Sequence, residues 1–145
     1  MNENHPMFDQ HRYTTNDLAK HIVIYDFERT GWLDVHVNPD DYGADLIATS
    51  GRTGAKWTIE VEVKHNWETG PFKYSTVHIS ARKDKYNNPH HMHVTTNSAW
   101  THYLIVPPSA LAEAKRVVKN TSVSQNEMFL EIPISECQII ERETT

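Results

Sequence analysis

Residues 57–64, WTIEVEVK, set Ile59, Val61 and Val63 on one side of an extended chain and Glu60, Glu62 and Lys64 on the other. A period of two marks a half-buried β-strand. Upstream, a cap-like TTND at Thr14 and Thr15 opens LAKHIVIYDFER, whose Leu18, Ile22 and Tyr25 share one helical face before Gly31 stops the helix. WLDVHV then alternates Leu33, Val35 and Val37 inward against Trp32, Asp34 and His36, a first strand closed by the breaker-rich NPDDYG. ADLIATS is a short apolar second strand, and GRTGAK carries two glycines suited to reversing the chain into WTIEVEVK as a hairpin.

Beyond the hairpin, YSTVHIS has the pattern of a short strand, ARKDKYNN that of a turn or short helix, and PHHMHVTTNS that of a polar loop. WTHYLIVP is a buried strand ended by Pro107 and Pro108, which open a helix over SALAEAKRVVKN, with Ser109 as cap and Leu111, Ala114 and Val118 as inner stripe. MFLEIPI is a last strand that Pro133 ends or places at an edge. Residues 1–14 are expected as a loose arm and 136–145 as a polar tail. The pattern predicts one domain over 1–145 of the α/β (α+β) class. The elements follow in the order helix, three strands, insert, strand, helix, strand.

Composition narrows the function. A chain of 145 residues can bury a core without staples, and its lone Cys137 forms no internal disulfide, so a reducing cytoplasm is the expected compartment. No apolar run is long enough to cross a bilayer, so no membrane is expected as a partner. A net charge of −5 argues against non-specific coating of nucleic acid, which needs many cationic contacts to phosphate. Locally the signs separate: Asp40, Asp41, Asp45, Glu60 and Glu62 precede Lys64, Lys73, Arg82, Lys83 and Lys85. An acidic centre beside a basic flank suits a metal-dependent phosphodiesterase.

The predicted hairpin gives the charged strand face its chemistry. Antiparallel pairing brings Asp45, at the start of the second strand, toward Glu62 and Lys64 near the end of the third. Oxygen ligands from Asp45 and Glu62, with the backbone carbonyl of Val63 between the motif side chains, suit Mg²⁺, which keeps waters and accepts phosphate oxygens. Lys64 then orients or deprotonates the attacking water and stabilises charge on phosphorus.

GADLIA followed by IEVEVK resembles the PD-(D/E)xK nuclease superfamily, and the order of elements from about Thr15 to Pro133 is similar to its small resolvase-like branch. The resemblance implies a restriction-endonuclease-like core, a central mixed sheet of four to five strands flanked by helices, and a Mg²⁺- or Mn²⁺-dependent endonuclease acting on DNA, with Asp45, Glu62 and Lys64 as its motif residues. It further implies branched DNA, such as a Holliday junction, as substrate, a homodimer that cuts both strands, and the cytoplasm of a bacterial, archaeal or phage-infected cell. The literal Pro39–Asp40 pair falls in the turn and not at a strand start. The first helix, which supplies a glutamate in many members, offers Lys20 and His21 on its inner face, with Asp17 and Asp26 as imperfect substitutes. Glu60 is either an extra ligand or solvated.

Arg82, Lys83 and Lys85 closely follow the predicted strand YSTVHIS; similar basic segments after the motif strand occur in resolvase-like nucleases, and these residues are expected to contact phosphate. His65 is placed at the rim of the site. His90, His91 and His93 lack a second tight His or Cys pair, so their segment is read as a loop touching nucleic acid or a subunit and not as a zinc site. Trp57, Trp67 and Trp100 are read as core or interface anchors. The alternative from another class is a non-catalytic nucleic-acid-binding or assembly module that keeps the fold.

Overall fold

Short side chains at Ala19 and Val23, with Phe27 one turn further, let helix α1 (Thr15–Arg29) lie close against a sheet. These three, with Asp26, form the buried stripe, so the inner face is rotated from the expected Leu18, Ile22 and Tyr25; Tyr25 is exposed, with the Arg29 guanidinium over its ring. The computed structural model describes residues 15–40, 43–81, 88–120 and 126–142. The expected arm at 1–14 lies outside the described residues.

The strands are β1 (Leu33–Val37), β2 (Leu46–Thr49), β3 (Lys56–Lys64), β4 (Thr76–Ser80), β5 (His91–Asn97), β6 (His102–Val106), β7 (Lys115–Lys119), β8 (Glu127–Pro133) and β9 (Gln138–Glu141). A six-stranded sheet runs β1-β2-β3-β5-β6-β9, and a three-stranded sheet runs β4-β8-β7. Among the described residues only the β3–β5 pair is parallel, with Glu60 beside His93 and Glu62 beside Thr95. The expected central sheet is mixed, but it has six strands and not four to five, and a second sheet of three lies beside it.

The β2–β3 hairpin forms as expected, with Leu46 opposite Ile59. Its loop passes so near the end of α1 that a Cβ on Gly51 would lie 2.2 Å from the Gly31 carbonyl oxygen, which requires glycine there. In β1 only Val35 of the three expected inward residues is buried. Asp34 takes φ 50°, and the pairing with β2 shifts register between Leu33 and His36, so the bulge breaks the alternation.

Three further segments differ from their sequence patterns. The expected loop PHHMHVTTNS contains β5, all of whose residues are buried, because hydrogen bonds from β3 and β6 on either side satisfy its backbone. The expected helix over 109–120 stops early. Helix α2 spans only Pro108–Ala112, capped at Pro107 and not Ser109, and KRVVK becomes β7 because β-branched Val117 and Val118 gain a ladder with β8. Val118, placed on a helical stripe by periodicity, is exposed on that strand. Gln138–Glu141, expected in a polar tail, forms β9 on the edge of the large sheet.

Two apolar cores separate three layers. α1 packs on Leu46, Ala48, Ile59, Val61, Val63, Met92 and Val94. On the other face of the large sheet, Leu104 and Val106 meet α2 and the inward residues of the small sheet, Val77, Ile79, Leu130 and Ile132. The charged face of β3 thus looks away from α1 and toward the small sheet.

Candidate active site

A tight turn delivers Asp45. The Asn38 amide donates to the Asp45 carbonyl (3.0 Å), and the Gly43 amide donates to the Asp40 carbonyl (3.0 Å). Asp40 itself sits in this turn, where its amide donates to the Asn38 side-chain oxygen (3.0 Å). Immediately before β2, Asp45 Oδ2 crosses to accept the Val61 amide of β3 at 2.9 Å, which ties the carboxylate to the neighbouring strand. The register that pairs Leu46 with Ile59 leaves Asp45 one residue before β2, beside the stretch of β3 that carries Val61.

From β3, Glu62 and Lys64 project together. Lys64 Nζ lies 3.2 Å from Glu62 Oε2 and donates to the His78 carbonyl of β4 at 3.0 Å, so the ammonium is held from two sides. Glu62 Oε1 lies 3.2 Å from Nε2 of His93, a ring only 2% exposed on β5. Burial opposes ionisation of Glu62, but the His93 hydrogen bond and charge, joined by Lys64, outweigh it and pull the carboxyl down to about 2. Glu62 is therefore anionic throughout the neutral range.

α1 contributes a cation where the resemblance implies an acid. Lys20 Nζ lies 3.5 Å from Asp45 Oδ1 and 3.7 Å from Asp17 Oδ1. His21 is exposed. Asp26 lies about 9 Å further along the helix, buried against the Arg142 guanidinium and the Tyr103 hydroxyl (2.7 Å). It belongs to the joint between α1 and the end of β9. Burial acts against its charge, yet the bonds from Arg142 and Tyr103 lower its pKa.

Glu60 is 2% exposed, so the solvated alternative for it does not hold. His65 is exposed just past β3, and Arg82, Lys83 and Lys85 lie outside the described residues. The three histidines of the expected loop separate: His90 packs on Trp57, His91 Nδ1 lies 2.7 Å from the Thr58 hydroxyl, and His93 turns to Glu62. Trp67 is 1% exposed and donates its indole N–H to the Gly70 carbonyl at 2.7 Å, a core anchor. Trp57 stacks edge-on with Trp32, and Trp57 and Trp100 are partly buried against the α1 core.

Among the described residues no three His, Cys, Asp or Glu side chains converge as a ready cation site. Mg²⁺ does not need such a cluster, since it is held by one or two carboxylates and completes its shell with water and substrate oxygens. Asp45, Glu62 and the Val63 carbonyl are the oxygen donors expected from the sequence to hold it.

Sequence reasoning missed Lys20 as a partner of Asp45, and His93 and His78 as neighbours of the motif residues. The alternation of His91, His93 and Thr95 against Met92, Val94 and Thr96 was the available signal for β5 as a strand. Among the described residues no helix is long and apolar enough to cross a membrane.

No protein-family model matches this chain, and no curated protein is similar to it. A solved structure with a similar course of the chain is a Holliday junction resolvase from the archaeal hyperthermophile Archaeoglobus fulgidus, at a TM-score of 0.47 and 14% identity, covering 84% of this chain and 86% of that one. The functional conclusion therefore rests on side-chain geometry.

Proposed function

We propose that this protein is a metal-dependent nuclease that hydrolyses phosphodiester bonds in DNA, with Asp45, Glu62 and Lys64 as its working residues. The observation that carries this is the Lys64 ammonium held 3.2 Å from the Glu62 carboxylate, on the strand whose Val61 amide anchors Asp45. Asp45, Glu62 and the Val63 carbonyl would hold Mg²⁺ or Mn²⁺, whose charge polarises a phosphoryl oxygen. Lys64 has N–H capacity beyond its bonds to Glu62 and His78 with which to orient a water and offset charge on phosphorus. His93 fixes the second oxygen of Glu62 from behind. The finer proposal is a branched substrate and a two-fold homodimer, which supplies one site per strand. Arg82, Lys83, Lys85 and His65 are proposed to meet the DNA backbone.

The Lys20–Asp45 pair favours a second proposal, a nucleic-acid-binding or assembly module without catalysis, because an ammonium already occupies one side of a metal carboxylate. One assay separates the two. Four-way junction, single-stranded and duplex DNA are incubated with Mg²⁺ or Mn²⁺ and with chelator, beside Asp45→Asn and Lys64→Ala. Metal-dependent cleavage lost by a factor of about 10² or more in both variants is expected. Cleavage that persists in both overturns the site, and no cleavage by the wild type leaves the binding module.

A further inference from the structure

Beside Lys64 a groove of about 460 Å³ opens across the outer face of the small sheet. β4 and β8 turn Val77, Ile79, Leu130 and Ile132 into the core, which leaves His78 and Phe129 on the opposite face. One wall carries Phe72 and Tyr74, whose rings meet edge to face at 5.4 Å; Tyr74 is 52% exposed. The other carries Phe129, with Lys119 Nζ 5.5 Å from its ring centroid and 3.2 Å from His78 Nδ1. Lys64 and Lys119 thus set ammonium groups along a cleft lined with aromatic rings.

We propose that this groove binds one unstacked nucleobase of a DNA strand, next to the phosphate held at Lys64. The proposal rests on the nuclease function above and specifies its substrate, DNA with unpaired nucleotides at the cleavage point. Aromatic faces accept any base by stacking, and the flanking cations suit the phosphates on either side of it. A base stacked within duplex DNA does not present its faces to such a groove, so fully paired DNA leaves it empty. An apolar peptide would have no use for the two ammonium groups, and an anion alone would have none for the three rings.

Fluorescence anisotropy in chelator, with the full chain and a short labelled single-stranded oligonucleotide, tests this without reading cleavage. Tyr74→Ala and Phe129→Ala are each expected to weaken binding about tenfold, while Tyr74→Phe binds as the wild type does. Duplex of the same sequence is expected to bind all four proteins equally. Circular dichroism checks folding, and Tyr74, being exposed, tolerates truncation without unfolding. Unchanged single-strand affinity in Tyr74→Ala, or an equal loss on duplex, overturns the groove assignment. If the alanine variants lose single-strand affinity in a protein that cleaves nothing, the groove stands and the nuclease proposal fails. If metal-dependent cleavage is found while they bind normally, the reverse holds.

Discussion

Replacing Glu62 with Gln removes a charge that the fold holds in place, and the cost is legible from its surroundings. The drop of the Glu62 carboxyl from the usual 4.5 to about 2 corresponds to about 3.4 kcal/mol at 1.36 kcal/mol per tenfold. The side chain is 39% exposed, so screening by solvent reduces this to about 1–2 kcal/mol. Because the folded pKa lies below the unfolded one, the stabilisation is fully present above about pH 4.5 and is lost as pH falls toward about 2. Glu62→Gln has no such titration. Urea unfolding in chelator should therefore find the variant about 1–2 kcal/mol less stable near pH 7, with the gap closing substantially by about pH 3.5. A gap of the same size at both pH values would refute the idea that His93 and Lys64 stabilise the ionised form. A variant more stable than the wild type near pH 7 would refute it equally.

Two further outcomes follow from the ion pairs. Arg142→Ala leaves Asp26 buried without its guanidinium and should cost about 3–5 kcal/mol in urea unfolding; amides of Gln138–Glu141 should lose protection from hydrogen exchange, since Arg142 also donates to the Trp100 carbonyl at 2.8 Å and closes that edge. Lys20→Ala frees Asp45 Oδ1 from its ammonium, so the Mg²⁺ concentration giving half-maximal cleavage should fall about two- to fivefold. A requirement that rises would show that Lys20 assists the metal site.

The local patterns that were legible share one property: their physical cause lies within a few residues. The β2–β3 hairpin, the inward Ile59, Val61 and Val63 and the stop at Gly31 depend on alternation and on turn chemistry. Where the pattern misled, a partner distant in sequence intervened. β5 reads as a polar loop because His91, His93, Thr95 and Asn97 are hydrophilic, yet β3 on one side satisfies its backbone and Thr58 and Glu62 bond two of its rings. KRVVK lies on a helical stripe by period, but β8 offers it a ladder. Asp34 shows the same limit in miniature, since one positive φ undoes a regular alternation.

The sequence by itself determined which residues carry charge on β3, that Asp45 leads into the strand paired with it, and that the chain mixes helix with sheet. Those follow from side-chain period and from a hairpin closed over a short loop. The tertiary structure alone decided what the charged face meets. It divided the strands into two sheets, buried Glu60, turned Lys20 and not an acid toward Asp45, brought His93 from β5 to Glu62, and opened the aromatic groove beside Lys64. Each depends on parallel or long-range pairing or on the packing of whole layers, and a segment's own period does not say which distant partner it will meet.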